Sequence, residues 1–328
     1  MSTLRRVVVI GLLAVGLVAG GRPAPGLAIA TGNPLKLTSG FYVDPDSSAA
    51  RYVQRHPGET EIKTKIADQA GARWFGRTSG DVKQAVTAYT AAADKLDKLP
   101  VLVAGNIPGR DCGGRWSGGA ESPSAYRTWI SQFSDGIGAR PAIVVIEPDA
   151  LARLDCLPAK DRPARIALLK YAANQFATTN PNTWAYMDAG TATTLETKEM
   201  ARRLRLVDIG KLRGFALNTS NYYTTEESAA RGTAIKAALG GAGEFVIDTS
   251  RNGNGSNGTW CNPAGRKLGA PTQVGAAPDE SAPTTRTPAD LLLWLTTPGT
   301  SDGLCGLTPT VPLGTFSPTL ATHLITAT

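Results

Sequence analysis

Five aspartates each follow a short apolar run: Asp111 in "NIPGRD", Asp149 in "VVIEPDAL", Asp188 in "MDAG", Asp248 in "VIDTSRNGN" and Asp302 in "PGTSDG". One carboxylate closing a turn or capping a helix is ordinary. Five at the ends of such runs, beside an Arg- and Asn-rich segment, call for another account. With no His or Cys among them, two chemistries use such a set. Oxygen ligands hold Mg²⁺ or Ca²⁺, and a pair of carboxylates acts as general acid and base on a glycosidic bond. The spacings match neither an EF-hand nor a P-loop. His56 and His323 lie near no serine elbow, which disfavours a Ser-His-Asp triad. Zinc is a weak reading, because no two cysteines are close together.

The runs that carry these residues read as strands: Ala72–Phe75, Val101–Ala104, Ala142–Ile146, Trp184–Met187, Gly214–Leu217, Phe245–Ile247 and Leu291–Leu295. Several are nearly all apolar, as expected of parallel strands buried on both faces. Between them, helical spacing predicts helices over Val82–Leu99 (Val82, Val86, Tyr89, Ala92 and Leu96 on one face), Arg165–Ala177 and Leu195–Leu206. This alternation means an α/β fold with a parallel sheet, either a barrel or a doubly wound sheet. In both, all strand C-termini lie on one face, where active sites are built. The five aspartates can therefore converge despite their separation in sequence. "RNGNGSNG" (251–258) reads as a loop, and Ala264–Thr287 as a second, Pro/Thr-rich one. No linker or repeat divides the chain.

The N-terminus reads as a leader. Arg5 and Arg6 precede the apolar stretch Val7–Gly21, and Ala28-Ile29-Ala30 is an A-x-A cleavage pattern. Residues 1–30 are expected to be a signal peptide, with an uncleaved anchor as the alternative, and residues 31–328 a single secreted, extracellular catalytic domain. No later segment is apolar enough to cross a membrane. Of the net charge of +7, about +4 remains once Arg5, Arg6 and Arg22 are removed. That excess is spread along the chain with no Lys/Arg cluster, so no nucleic-acid partner is expected. Nothing signals oligomerisation, and a monomer is the default. Four cysteines in an exported chain favour two disulfides, with three possible connectivities. Pairing Cys112 with Cys156 and Cys261 with Cys305 closes two loops of similar length, each contributing about 3–4 kcal/mol in a chain-entropy picture.

Nine blocks, in order, resemble glycoside hydrolase family 6, the endo-β-1,4-glucanases and cellobiohydrolases: "FYVDPDSSAA", "NIPGRDC", "WSGGA", "VVIEPDALA", "MDAG", "GFALNTSNY", "VIDTSRNGNG", "WCNP" and "PGTSDG". The resemblance runs from about Phe41 to the C-terminus. It implies a distorted β/α barrel of seven parallel strands, in agreement with the seven runs. It implies Asp149 as the general acid, Asp111 as a helper carboxylate, Ser117 as the residue that positions the attacking water, and Asp302 as the candidate base. It implies inversion at the anomeric carbon. Trp74 and Trp260 match sugar-stacking positions. Asp188, Asn218, Asn221, Asp248 and Asn262 match positions that bind sugar or hold the barrel. The sequential cysteine pairing is also the family's pairing. No cofactor and no metal are implied, and the expected partner is a β-glucan.

Only Gly303 and Leu304 separate Asp302 from Cys305, where exo-acting members carry a long insertion. An open cleft and internal cleavage are therefore expected. The chain departs from the family at Gly105 (usually Tyr), Thr191 (usually His), Thr296 (usually Lys) and Thr300 (usually Glu). An endo-β-1,4-glucanase is the leading function. The alternatives are an inverting hydrolase of another polysaccharide on the same scaffold and a catalytically weak glycan-binding protein.

Overall fold

The structure, a computed structural model, describes residues 32–114, 118–275 and 287–327. The expected signal peptide, residues 1–30, and Ser117 lie outside the described residues.

Seven parallel strands form one curled sheet: β1 (Arg73–Phe75), β2 (Val101–Ala104), β3 (Ala142–Ile146), β4 (Thr183–Asp188), β5 (Gly214–Leu217), β6 (Glu244–Asp248) and β8 (Leu291–Leu293). They pair in chain order from β1 to β6, and β8 follows β6. An eighth strand, β7 (Gln273–Val274), runs antiparallel to β8. It lies inside Ala264–Thr287, which was expected to be only a loop. Two exposed residues give too short a period to stand out in sequence. The barrel comes round through single contacts between β1 with its flanking residue and the segment just after β8, rather than a ladder. The Ala72 N–H bonds Trp294 O at 2.8 Å, and Trp74 Nε1 donates to Leu295 O at 2.5 Å.

The two faces of each strand bury different cores, as a period of two requires. Val101, Val103, Ile143, Val145, Tyr186, Ala216, Val246, Leu291 and Leu293 fill one cluster. Leu102, Ala104, Val144, Ile146, Ala185, Met187, Phe215, Leu217 and Ile247 belong to a larger one shared with the helices. Burial on both faces is why these strands read as unbroken apolar runs.

Helices cross between the strands at Val82–Asp94, Pro123–Ile137, Arg162–Thr179, Thr197–Leu206 and Thr225–Ala238. Asp81, Ser122 and Thr224 cap three of them by accepting the backbone N–H three residues on. The helix expected to reach Leu99 ends at Asp94. Asp97 takes φ +54° and reverses the chain, so Leu96 is 61% exposed instead of extending the buried stripe. Both disulfides, Cys112–Cys156 and Cys261–Cys305, are formed.

Candidate active site

The site is built from the loops that leave the C-terminal ends of the strands. Nine non-glycine residues have φ in the left-handed region among those described. Seven of them lie in these loops: Asp111, Cys112, Glu147, Asp149, Asn218, Ser220 and Asn262. Such conformations cost of order 1–3 kcal/mol each and persist only where surroundings over-determine them. Strain on one rim of the barrel therefore marks the functional face independently of residue type.

β3 delivers the first carboxylate group. Beyond Ile146 the chain turns through Glu147 (φ +49°) and Asp149 (φ +65°), one on either side of Pro148. The Asp149 backbone N–H donates to Asp188 Oδ1 at 2.9 Å. Asp188, at the end of β4, also accepts from Gly190 N at 3.0 Å and Thr219 Oγ1 at 2.6 Å. Asp111, carried by the loop after β2, pairs with Arg153 Nη1 at 2.5 Å. Burial pushes the Asp149 carboxyl above the usual range. Arg153 pulls it down and the negative charge of Asp111 pushes it up. Asp188 is raised to about 7, mainly by burial and then by the Asp149 charge. Two acidic groups sharing one dry site cannot both ionise at no cost, so this corner is arranged to hold a proton.

The second group surrounds Asp302. Its Oδ1 accepts from Arg251 Nη2 at 2.8 Å. Its Oδ2 accepts from Arg251 Nη1 at 3.0 Å, Tyr222 Oη at 3.0 Å and Asn262 N at 3.1 Å. Arg251 is almost fully buried and lies over the Tyr222 ring at 4.4 Å. The loop after β5 joins the two groups. Thr219 bonds Asp188, Ser220 N bonds Asp248 Oδ2 at 2.7 Å, and Ser220 O accepts from Arg251 Nη2 at 2.5 Å.

A cavity of about 830 Å³ opens beside this network. Trp74, Arg110, Ser220, Thr296, Thr300 and Asp302 line it. Asp111 and Asp149 are not among its lining residues. Trp260 is half-exposed beside Cys261, at 52%. Asp188, Asn218, Asp248 and Asn262, expected to touch sugar or hold the barrel, are buried and bonded within the scaffold. Asn218 Nδ2 donates to Tyr223 O and Asp248 O. Asp248 accepts from Ser220 and Ser250 N–H. Asn262 Nδ2 donates to Ser301, Gly303 and Cys305. Asn221 Nδ2 donates to Thr219 O at 2.9 Å.

Three of the four positions that depart from the family pattern are held by local contacts. Gly105 O accepts from Arg110 Nη1 at 2.5 Å, and a Cβ at Gly105 would stand 3.7 Å from the Trp74 ring. Thr191 Oγ1 bonds Thr194 Oγ1 at 2.7 Å, and the Thr296 hydroxyl bonds that of Ser220. Arg153, Arg251, Tyr222 and Glu147 were missed as site residues. Arg153 follows Asp149 by four positions, and Arg251 follows Asp248 by three. Neither spacing points to an ion pair across loops 40 or more residues apart.

The sequence profile of glycosyl hydrolases family 6 matches residues 37–324, nearly the whole described chain. The chain belongs to glycosyl hydrolases family 6. Similarity within the family is high. Over 301 residues the chain is 47% identical to endoglucanase 1 of Streptomyces halstedii, covering 89% of this chain and 90% of that protein. It is 45% identical over 272 residues to endoglucanase A of Cellulomonas fimi, covering 82% of this chain and 57% of that longer protein. The solved endoglucanase Cel6 of Mycobacterium tuberculosis, in complex with methyl-cellobiosyl-4-deoxy-4-thio-β-D-cellobioside, superposes with a TM-score of 0.81 at 39% identity. The match covers 90% of this chain and 98% of that one. The family 6 fold and both disulfides agree with what the sequence predicts. The seven parallel strands do too, with β7 as an addition.

Proposed function

We propose that this protein is an endo-acting β-1,4-glucanase that hydrolyses internal glucosidic bonds with inversion. The observation that carries the reading is the Asp111–Asp149–Asp188 group. It holds one carboxyl, Asp149, above its usual range at the mouth of a β/α barrel. A protonated Asp149 gives its proton to the glycosidic oxygen as the C–O bond breaks. Asp111, paired with Arg153, keeps a negative charge near Asp149 and so favours its protonated form. Water adds to the anomeric carbon from the opposite face. Asp302 is the carboxylate on the second wall. Its Oδ1 has a single donor, Arg251, among the described residues, and so has room to accept from that water. Ser117 is assigned to positioning the same water.

Trp74 and Trp260 are assigned to sugar stacking, which suits indoles that are only partly buried. Asp188, Asn218, Asn221, Asp248 and Asn262 act as supports that set the loops, rather than as direct sugar ligands. Internal cleavage follows from the two-residue spacing between Asp302 and Cys305, too short to roof the cleft. The endoglucanase names of the 47% and 45% identical relatives support the same activity. Removal of residues 1–30 on export, and action as a secreted monomer, complete the proposal. No helix among the described residues is long and apolar enough to cross a membrane. The test is proton NMR of the first products from a soluble cello-oligosaccharide. The α-anomer is expected first, and β-anomer appearing first refutes inversion.

A further inference from the structure

Glu147 is a buried carboxylate at the site that the mechanism above leaves without a task. It is 1% exposed, and it lies between β3 and the loop that carries Asp111. Its Oε1 accepts from Asn106 N at 2.9 Å, and its Oε2 accepts from Asn106 N and Ile107 N at 3.0 Å each. These are the first peptides of the segment leading to Asp111. The carbonyls of the same segment are held by cations that face Glu147. Arg110 Nη1 donates to Gly105 O at 2.5 Å. Arg165 Nη2, from the Arg162–Thr179 helix, donates to Pro108 O at 2.7 Å and Gly109 O at 3.1 Å. The turn is closed on its far side by Ala120 N, which donates to Asn106 O at 2.7 Å. Gly119 passes so close that a Cβ there would stand 1.9 Å from Ile107 O. Glu147 thus fixes peptide N–H groups on one side of Pro148, and Asp149 lies on the other side.

We propose that Glu147 is a positioning residue for catalysis: by gripping the Asn106 and Ile107 N–H groups, it sets Asp111 against Asp149. This rests on the reading of Asp149 as the acid. The groups facing Glu147 are Arg110 on the gripped loop, Tyr126 on the Pro123–Ile137 helix and Arg165. Two of the three are cations, so the carboxylate cannot be replaced by a donor without opposing N–H to N–H. Glu147→Gln keeps the volume but turns an NH₂ toward a site already crowded with donors. The loop then shifts away from β3, and Asp111 moves away from Asp149. Loss of the Asp111 charge near Asp149 lowers the acid's affinity for its proton.

The experiment compares the parent, Glu147→Gln and Asp149→Asn on cellopentaose across pH, well below the melting temperature. Glu147→Gln is expected to lower kcat at least about tenfold, leave KM within about twofold, and move the basic limb of the kcat profile to lower pH. A folded Glu147→Gln with the parent's kcat and basic limb overturns the proposal. A role confined to folding lowers the melting temperature without moving that limb. If Glu147→Gln does not fold, Glu147→Asp draws the carboxylate back from the Asn106 and Ile107 N–H groups without changing charge. It must lower kcat about threefold and shift the limb in the same direction, and parental kinetics overturn the proposal. Asp149→Asn separates the two readings. Inactive Asp149→Asn beside fully active Glu147→Gln sinks only the positioning role. Fully active Asp149→Asn sinks the acid assignment and the positioning role together.

Discussion

The backbone N–H of Asp149 points at the carboxylate of Asp188, 2.9 Å away. Asp149, the proposed acid, is therefore held through its main chain by a neighbour that is itself buried and raised to about 7. Asp188→Ala removes this anchor and leaves the Asp149, Gly190 and Thr219 donors unpaired. Unpaired buried donors cost about 1–3 kcal/mol each. The variant should lose stability in urea titration by about 3 kcal/mol and lose most of its turnover. Parental stability would show that the anchor carries no weight.

Arg251 and Asp302 form a buried bidentate pair at 2.8 and 3.0 Å. Breaking such a pair from one side leaves a bare charge and costs about 3–5 kcal/mol. Arg251→Met should therefore destabilise more than the double change Arg251→Met, Asp302→Asn. A chemical-denaturation cycle measures the difference, and additive effects would contradict a coupled pair.

Buried carboxylates give stability an unusual pH dependence. Glu147 and Asp188 ionise near 4 when unfolded and near 7 when folded, burial being the main cause in each. Between these values the folded state binds more protons than the unfolded one, so stability falls as pH rises. Glu199 works in the other sense. Its pairing with Arg202 and Arg203 holds it near 2, and its small contribution is lost as pH falls below about 4. Melting temperature should peak near pH 4 and drop by roughly 10 °C by pH 7.5. A melting temperature that climbs steadily from pH 5 to 7.5 would contradict the placement of these two groups.

Each disulfide staples one half of the site. Cys112 follows Asp111 directly, and Cys305 lies three residues after Asp302. Replacing either pair by serine should cost about 3–4 kcal/mol of stability. It should also lower kcat about tenfold at temperatures where the protein is still folded, because small displacements of catalytic groups are expensive. Calorimetry and initial rates report the two effects separately. A stability loss with unchanged kcat would make the disulfides purely structural.

Trp260 projects from the rim next to Cys261, about half of its surface open. Trp260→Ala should raise KM for long β-glucans about fivefold, in line with an aromatic contact of about 1 kcal/mol, and leave kcat within about twofold. Unchanged KM would remove the residue from the sugar path.

The strands were legible because burial on both faces leaves almost nothing but apolar residues in Ala142–Ile146 and Val101–Ala104. β7 was not, since Gln273 and Val274 are exposed and their pairing comes entirely from β8. Strand ends located the aspartates, because a parallel barrel puts all its C-termini on one rim. What spacing could not reveal is partnership across loops. The Asp302 clamp draws on Tyr222, Arg251 and Asn262, up to 80 residues away. Glu147 reads from the sequence as a structural residue that only the fold can place, and its grip on the Asn106 loop exists only once β2 and β3 are paired. The helix expected to run to Leu99 stopped at Asp94 because Asp97 adopts a left-handed turn, which apolar spacing alone does not register.

The central claim is that Asp149 protonates the leaving sugar. Its most direct test is the turnover of cellopentaose by Asp149→Ala, with the fold checked by circular dichroism. The expected result is a fall in kcat of about a thousandfold with oligosaccharide binding retained. Parental turnover in the folded variant would contradict the assignment.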